Sequence, residues 1–263
     1  MIENVSPKKF LGQHFLIDEN ISKKIVNSVI LKEFDKIVEI GPGKGALTKY
    51  LLEFSDKLIL IEYDAESFEF IRSSFKKHNP NIIKQDFLKY NLKDVLSKTR
   101  KNLIIGNFPY NISSQIIFKI LENYLLVSNL VGMFQKEVAQ RIISKPNSKE
   151  YGIISVKTQL LYDVKILFDV SPNVFFPKPR VNSSVISMTR KKNINTNFDL
   201  KLFDKLVKLS FQQRRKKIKN SLKKLDIKEN ILEDSIFDLR PEQLSVNDFI
   251  RLTQKISNET IYN

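Results

Sequence analysis

The sequence predicts an α/β protein, a mostly parallel and doubly wound sheet followed by a small, all-helical C-terminal domain. Three observations carry that prediction. Short Ile-, Leu- and Val-rich runs alternate with amphipathic stretches through the first two-thirds of the chain. A glycine-rich segment stands where the first such run ends, and after residue 193 the β-like runs stop.

Taken in order, the runs at 36–40 (KIVEI), 57–62 (KLILIE), 81–85 (NIIKQ), 102–107 (NLIIGN) and 130–135 (LVGMFQ) read as strands. They lack the polar alternation of half-exposed strands, as expected when helices cover both faces of a sheet. Between them, 46–54, 65–78, 113–125 and 137–144 carry apolar residues near helical spacing. Right-handed strand–helix–strand crossovers make the neighbouring strands parallel. Two later runs, 164–170 and 184–190, flank the proline-rich SPNVFFPKPR and are expected as a hairpin-like pair at one edge. A polar spacer at 193–197 leads into helical stretches at 198–213, 214–225 and 245–256, with Ser245 as a helix N-cap and Asp238 and Pro241 in turns. The expected domains are 1–193 and 194–263.

Composition narrows the function classes. The 263 residues contain no cysteine and two histidines, His14 and His78, so disulfides and thiolate metal sites are excluded and no metal centre is expected. No window approaches a membrane span, and the first fifteen residues lack the apolar core of a secretory leader, which makes the cytoplasm the expected compartment. Forty-four Lys and Arg against 29 Asp and Glu give a net charge of +15. That surplus favours a polyanion, most often nucleic acid, although a Lys-, Asn- and Ile-rich bias produces the same sign.

The segment VEIGPGKGALT (38–48) turns the first strand into the first helix. Gly41 and Gly43 allow a sharp turn and a close ligand approach, at the strand end where open α/β sheets bind nucleotides. A dinucleotide fits the glycine spacing. Pro42, however, removes a donor that a pyrophosphate would use, and Glu39 places a carboxylate beside the loop. A phosphate-free nucleoside with a cationic group, such as S-adenosylmethionine, fits better. Glu62 ends the second strand in position for a ribose diol. Asp86, after the third, is a candidate acceptor for an adenine amine or simply a helix cap.

At the end of the fourth strand stands NFPYN (107–111). The Asn107 side-chain oxygen and the Pro109 carbonyl are candidate acceptors for the two N–H bonds of an adenine N6 amine. Held so, the nitrogen becomes more pyramidal and its lone pair points at a methyl donor. Tyr110 offers a face for the base, a contact worth about 1–3 kcal/mol. Alignment would supply most of the acceleration, without a general base.

With these residues stand GQHFL (12–16), IEYD (61–64), QDFL (85–88), LVGMFQKEVAQRI (130–142), YGIISV (151–156) and FFPKPRVNSSV (175–185). Together they resemble the ribosomal RNA adenine N6-dimethyltransferase family. FQQRRKKIKNSL (211–222) is similar to the helical-domain signature of its small-subunit branch. The resemblance implies a Rossmann-like class I methyltransferase fold, S-adenosylmethionine as cofactor, and action on two adjacent adenosines near the 3′ end of small-subunit (16S) rRNA; a monomer is expected. It places cofactor contacts at His14, Leu16, Gly41, Glu62, Asp86 and Asn107, and it sets Phe175 over the target base opposite Tyr110. Many relatives carry Asn where this chain has His14, so the contact expected there is mainly through the backbone. The run RRKKIKNSLKKL (214–225) is read as an RNA-tracking surface carried by Arg214, Arg215, Lys216, Lys217 and Lys219. Three alternatives remain at this level. They are a large-subunit rRNA methylase conferring macrolide resistance, a nucleic-acid-binding assembly or transcription factor with a vestigial cofactor pocket, and an NAD-linked oxidoreductase.

Overall fold

The computed structural model describes residues 5–194, 197–225 and 227–260. Residues 1–4, part of the stretch read for a leader, and 195–196 of the polar spacer lie outside the described residues. Among the described residues the chain forms two compact units, one within 1–139 and 163–190, the other within 140–162 and 191–263.

The first unit begins with β1 (Phe15–Leu16) and α1 (Glu19–Val26), whose N-terminus is capped by Asp18 accepting the Ile21 N–H at 3.0 Å. Then come β2 (Lys36–Ile40), α2 (Thr48–Leu51), β3 (Leu58–Glu62), α3 (Ala65–Ser74), β4 (Asn81–Lys84), β5 (Asn102–Asn107), α4 (Ser113–Glu122) and β6 (Asn129–Gln135). The chain continues through α5 (Lys136–Ile143) and α6 (Ile153–Leu161) into β7 (Tyr162–Val170), β8 (Phe175–Phe176) and β9 (Ser183–Arg190). Seven strands form one sheet in the order β4-β3-β2-β5-β6-β9-β7. Its first five strands are parallel, β9 runs antiparallel to β6, and β7 and β9 close the edge side by side. Ile37, Val38, Leu60, Leu103, Ile104, Ile105 and Val131 are at most 1% exposed, which explains the uninterrupted apolar runs.

The chain lays β3 and β4 on one side of β2, then returns to lay β5 and β6 on the other. Between β2 and β5, therefore, the connections diverge. Open sheets bind ligands in the crevice this leaves at the strands' carboxyl ends.

The second unit adds α7 (Leu200–Gln212), α8 (Ile218–Ser221), α9 (Glu229–Leu232) and α10 (Val246–Thr260). Asp199 caps α7 by accepting the Lys201 and Leu202 N–H groups at 2.8 and 3.1 Å. Ser245 and Asp248 exchange backbone–side-chain bonds at the start of α10, at 3.0 and 3.1 Å, so the N-cap expected at Ser245 is present. Phe203 of α7 and Phe249 of α10, both buried, meet with ring centroids 6.4 Å apart.

Two helices differ from expectation. Helix α6 was not expected, because IISVKTQLL is apolar on most sides and offers no stripe to recognise. It packs on α7 and α10, which is why 140–162 clusters with the helical unit, whereas the sequence division at 193 set it in the first domain. The helix expected over 214–225 is reduced to Ile218–Ser221, with turns on either side.

Candidate active site

The β2 and β5 ends open onto a cleft lined by Leu16, Gly41, Gly43, Glu62, Asn107 and Tyr110. A second cleft, sharing Gln13, Gly41, Glu62 and Pro109 with the first, continues over Asp86 and Phe87. Gly43 has φ +57°, and a Cβ there would stand 3.0 Å from the Phe15 ring, so both conformation and space require glycine. Glu62 is 4% exposed; its Oε2 accepts the Gly43 N–H at 3.0 Å and its Oε1 the Asp64 N–H at 2.8 Å. Each carboxylate oxygen retains a lone pair. Burial raises the Glu62 pKa against these bonds. Glu39, also in the cleft wall, accepts the Thr48 hydroxyl at 2.8 Å and the Thr48 backbone N–H. Burial pushes its carboxyl up to about 8, opposed by Thr48 and reinforced by the Glu62 charge. The pocket thus holds two buried carboxyls and no buried cation; Glu39 is held in its neutral form near pH 7, and the charge and acceptor capacity of the wall come from Glu62, a setting without the cations that bind phosphate.

The NFPYN loop is set by Phe108. Gly106 of β5 and Gly132 of β6 are paired in register, and together they leave a hole in the sheet surface. The Phe108 ring fills it; a Cβ on Gly132 would lie 2.0 Å from the ring, and one on Gly106 2.7 Å. Phe134 closes on the ring edge-on, centroids 5.0 Å apart, and Phe108 is 1% exposed. With Phe108 driven inward, Asn107, Pro109 and Tyr110 are presented to the cleft. The Asn107 amide nitrogen donates to the His14 carbonyl at 2.9 Å, which fixes the amide and keeps Oδ1 as its acceptor. The Pro109 carbonyl accepts the Ile112 N–H at 3.3 Å and retains a second lone pair. Tyr110 is held by a hydrogen bond between its hydroxyl and Ser183, and burial raises its pKa.

Residues 8–14 arch over the clefts. Lys8 forms ion pairs with Asp64 and Glu66, Asn111 donates to the Phe10 carbonyl at 3.3 Å, and the His14 carbonyl takes Asn107. His14 Nδ1–H donates to the Pro177 carbonyl at 2.6 Å, and its ring lies 5.2 Å from that of Tyr110. The His14 carbonyl thus anchors Asn107 and, with a second lone pair, still borders the first cleft. Asp86 lines the second cleft with Phe87, and its Oδ1 accepts the Leu88 N–H at 2.9 Å, so it also serves as a local cap.

One expectation needs correction. Phe175 is 3% exposed, packs in the core beside Leu16 and lines neither cleft; it is not placed to cover a target base. The exposed ring of the pair is Phe176, because successive strand residues face opposite sides. In the basic run, Arg214 donates to the Ser148 carbonyl at 3.0 Å, and Lys217 and Lys219 share Asp238 at 3.0 and 2.8 Å. Arg215 and Lys216 are exposed. Gln13 and Ser183 were missed. Both lie inside stretches that carry the resemblance, GQHFL and FFPKPRVNSSV, but their roles follow from the fold, Gln13 from the arch and Ser183 from the start of β9 beside Tyr110. Among the described residues no cluster of His, Cys, Asp and Glu could hold a metal ion, and no helix is long and apolar enough to cross a membrane.

The family model for ribosomal RNA adenine dimethylases matches residues 4–259. A Flavobacterium johnsoniae protein named ribosomal RNA small subunit methyltransferase A is 52% identical over 260 residues, covering 99% of each chain. A Francisella tularensis protein of the same name is 41% identical over 256 residues, covering 95% of this chain and 97% of its own. Among solved structures, a Plasmodium falciparum dimethyladenosine transferase aligns with a TM-score of 0.81 at 23% identity, covering 94% of this chain and 98% of that one. The 23S rRNA methyltransferase ErmE gives 0.65, also at 23%, with 92% and 99% covered. At that identity the two structures establish the fold alone.

Proposed function

This chain belongs to the ribosomal RNA adenine dimethylase family, and from that premise we propose that it transfers methyl groups to N6 of two adjacent adenosines near the 3′ end of small-subunit rRNA. The observation that carries the reading is the orientation of NFPYN. One buried ring leaves Asn107, Pro109 and Tyr110 lining a cleft that Glu62 also lines, which supports two oxygen acceptors and an aromatic face for the base. Relatives at 41–52% identity bear a small-subunit name, which favours that substrate over large-subunit rRNA.

S-adenosylmethionine is the methyl donor; when bound, it supplies a methyl group made electrophilic by a sulfonium. The residues present fit it. Glu62 would take the ribose hydroxyls, the Gly41–Gly43 turn and Leu16 would border the donor, and Asp86 with Phe87 would hold its adenine. The Asn107 Oδ1 and Pro109 carbonyl would accept the two N–H bonds of the target amine, and Tyr110 would stack on the base. A paired adenine cannot reach this site, so the target must be unpaired or flipped out. The methylated amine is acidic enough to lose its proton to water, and no side chain need act as a base.

Further readings follow from the same premise. Residues 1–193 are proposed to form the methyltransferase part and 194–263 to carry RNA contacts, with 140–162 packing in the helical unit. Arg215 and Lys216 are the candidates best placed for phosphates, since their neighbours are already paired. The protein is proposed to work as a monomer in the cytoplasm, on a ribosomal subunit or its precursor. Incubating unmethylated small subunits with a labelled donor and mapping the rRNA by mass spectrometry tests the function. Dimethylation of two neighbouring adenosines is expected, and label confined to large-subunit rRNA would reject it.

A further inference from the structure

We propose that Phe176 is a stacking platform for the nucleotide next to the target adenosine, so that the neighbour is held at the mouth of the cleft while the target base enters it. The proposal rests on the reading of this chain as an RNA adenosine methyltransferase.

Phe176 is 58% exposed, although both its strand neighbour Phe175 and its cross-strand partner Phe15 are buried. Directly opposed residues of an antiparallel pair share a face, so Phe176 stands across from Phe15, which lines the cleft. The next residue, Pro177, accepts the His14 imidazole N–H, and His14 in turn lies against Tyr110. Phe176 is thus joined to the cleft on two sides while its own ring remains in solvent. Lys44 Nζ stands 5.3 Å over the Phe15 ring, and Lys178 and Arg180 are exposed just beyond Pro177. An aromatic face with cations around it is the arrangement that binds single-stranded nucleotides without reading their sequence.

The site also has a need for it. A base drawn out of a stack leaves its neighbour with one face bare, and an aromatic ring at the mouth replaces the lost contact. With two adjacent adenosines as substrate, one would rest on Phe176 while the other reacts, and a shift by one nucleotide would exchange them.

The test compares Phe176→Ala, Phe176→Leu and Phe176→Trp on unmethylated small subunits, with donor affinity measured separately by calorimetry. Removing one base stack is expected to raise KM for the subunit on the order of 10-fold in the Ala variant. The Leu variant should lose as much, the Trp variant should recover the wild-type KM, and donor affinity should hold in all three. Wild-type KM in Phe176→Ala overturns the proposal, as does recovery by Leu, which would indicate apolar cover rather than stacking. A parallel loss of donor affinity also overturns it, by assigning Phe176 to the packing of the arch. If wild-type protein leaves small-subunit adenosines unmethylated, the functional reading itself fails and takes the proposal with it, a result visible before any variant is made.

Discussion

The NFPYN loop and the basic run at 214–225 are both short, distinctive stretches, yet they reach their conformations by opposite means. In the loop, a buried ring in a hole between two glycines dictates where three neighbouring residues face, and each polar atom of Asn107 has one role. In the basic run, charge is plentiful but little is buried; its cations bind whichever acceptors the turns bring near, Asp238 and the Ser148 carbonyl. Steric complementarity fixes geometry to fractions of an ångström, whereas exposed ion pairs are worth little and exchange readily. A reaction that depends on aligning nitrogen, carbon and sulfur needs the first kind of region. Holding a polyanion needs only the second.

The sharpest break is Asn107→Ala. It removes an acceptor for the reacting amine together with the amide that holds the His14 carbonyl, so single-turnover methyl transfer should fall about 100-fold or more, with a much smaller loss of donor affinity and a melting temperature close to wild type. Gly132→Ala attacks the support instead. A methyl group 2.0 Å from Phe108 must displace the ring, and destabilisation of about 1–3 kcal/mol should accompany a loss of transfer. Stability and activity falling together there, and separately in Asn107→Ala, would distinguish the shaping ring from the reacting edge.

Glu39→Gln has a smaller effect with a pH signature. The folded carboxyl keeps its proton up to about pH 8, while the unfolded one loses it near the ordinary value of 4.5. The native state therefore binds more protons across that interval, and wild-type stability declines as pH rises through it. Denaturant melts at pH 5.5 and 8.5 should show the Gln variant gaining on wild type at the higher pH. In the basic run the effects shrink again. Replacing Arg215 and Lys216 by Ala should lower the slope of RNA affinity against salt by about 2, one unit for each phosphate contact. Replacing Lys217 and Lys219 should lower it less, since Asp238 already neutralises them in part.

Much of this fold was legible because parallel strands buried on both faces announce themselves as unbroken apolar runs; all seven main strands appear within a residue or two of their expected positions. What escaped was set by contacts distant in sequence. The two-residue pair β1–β8 has no pattern of its own and exists through the register Phe15↔Phe176. For the same reason Phe175 was set over the base: motif spacing locates the aromatic pair, but the strand's facing decides which ring is buried. The glycines opposite Phe108 were readable in principle, since a glycine inside a strand often marks a close approach, and here two stand in register across neighbouring strands.

The central claim is that two oxygen acceptors grip the amine of an extruded adenine. Its most direct test is a ternary complex with a non-reactive donor analogue and target RNA, in which the distances from adenine N6 to Asn107 Oδ1 and the Pro109 carbonyl are measured. Both are expected near the ordinary hydrogen-bond length of about 3 Å. An adenine bound with its N6 turned away from both oxygens would contradict the account.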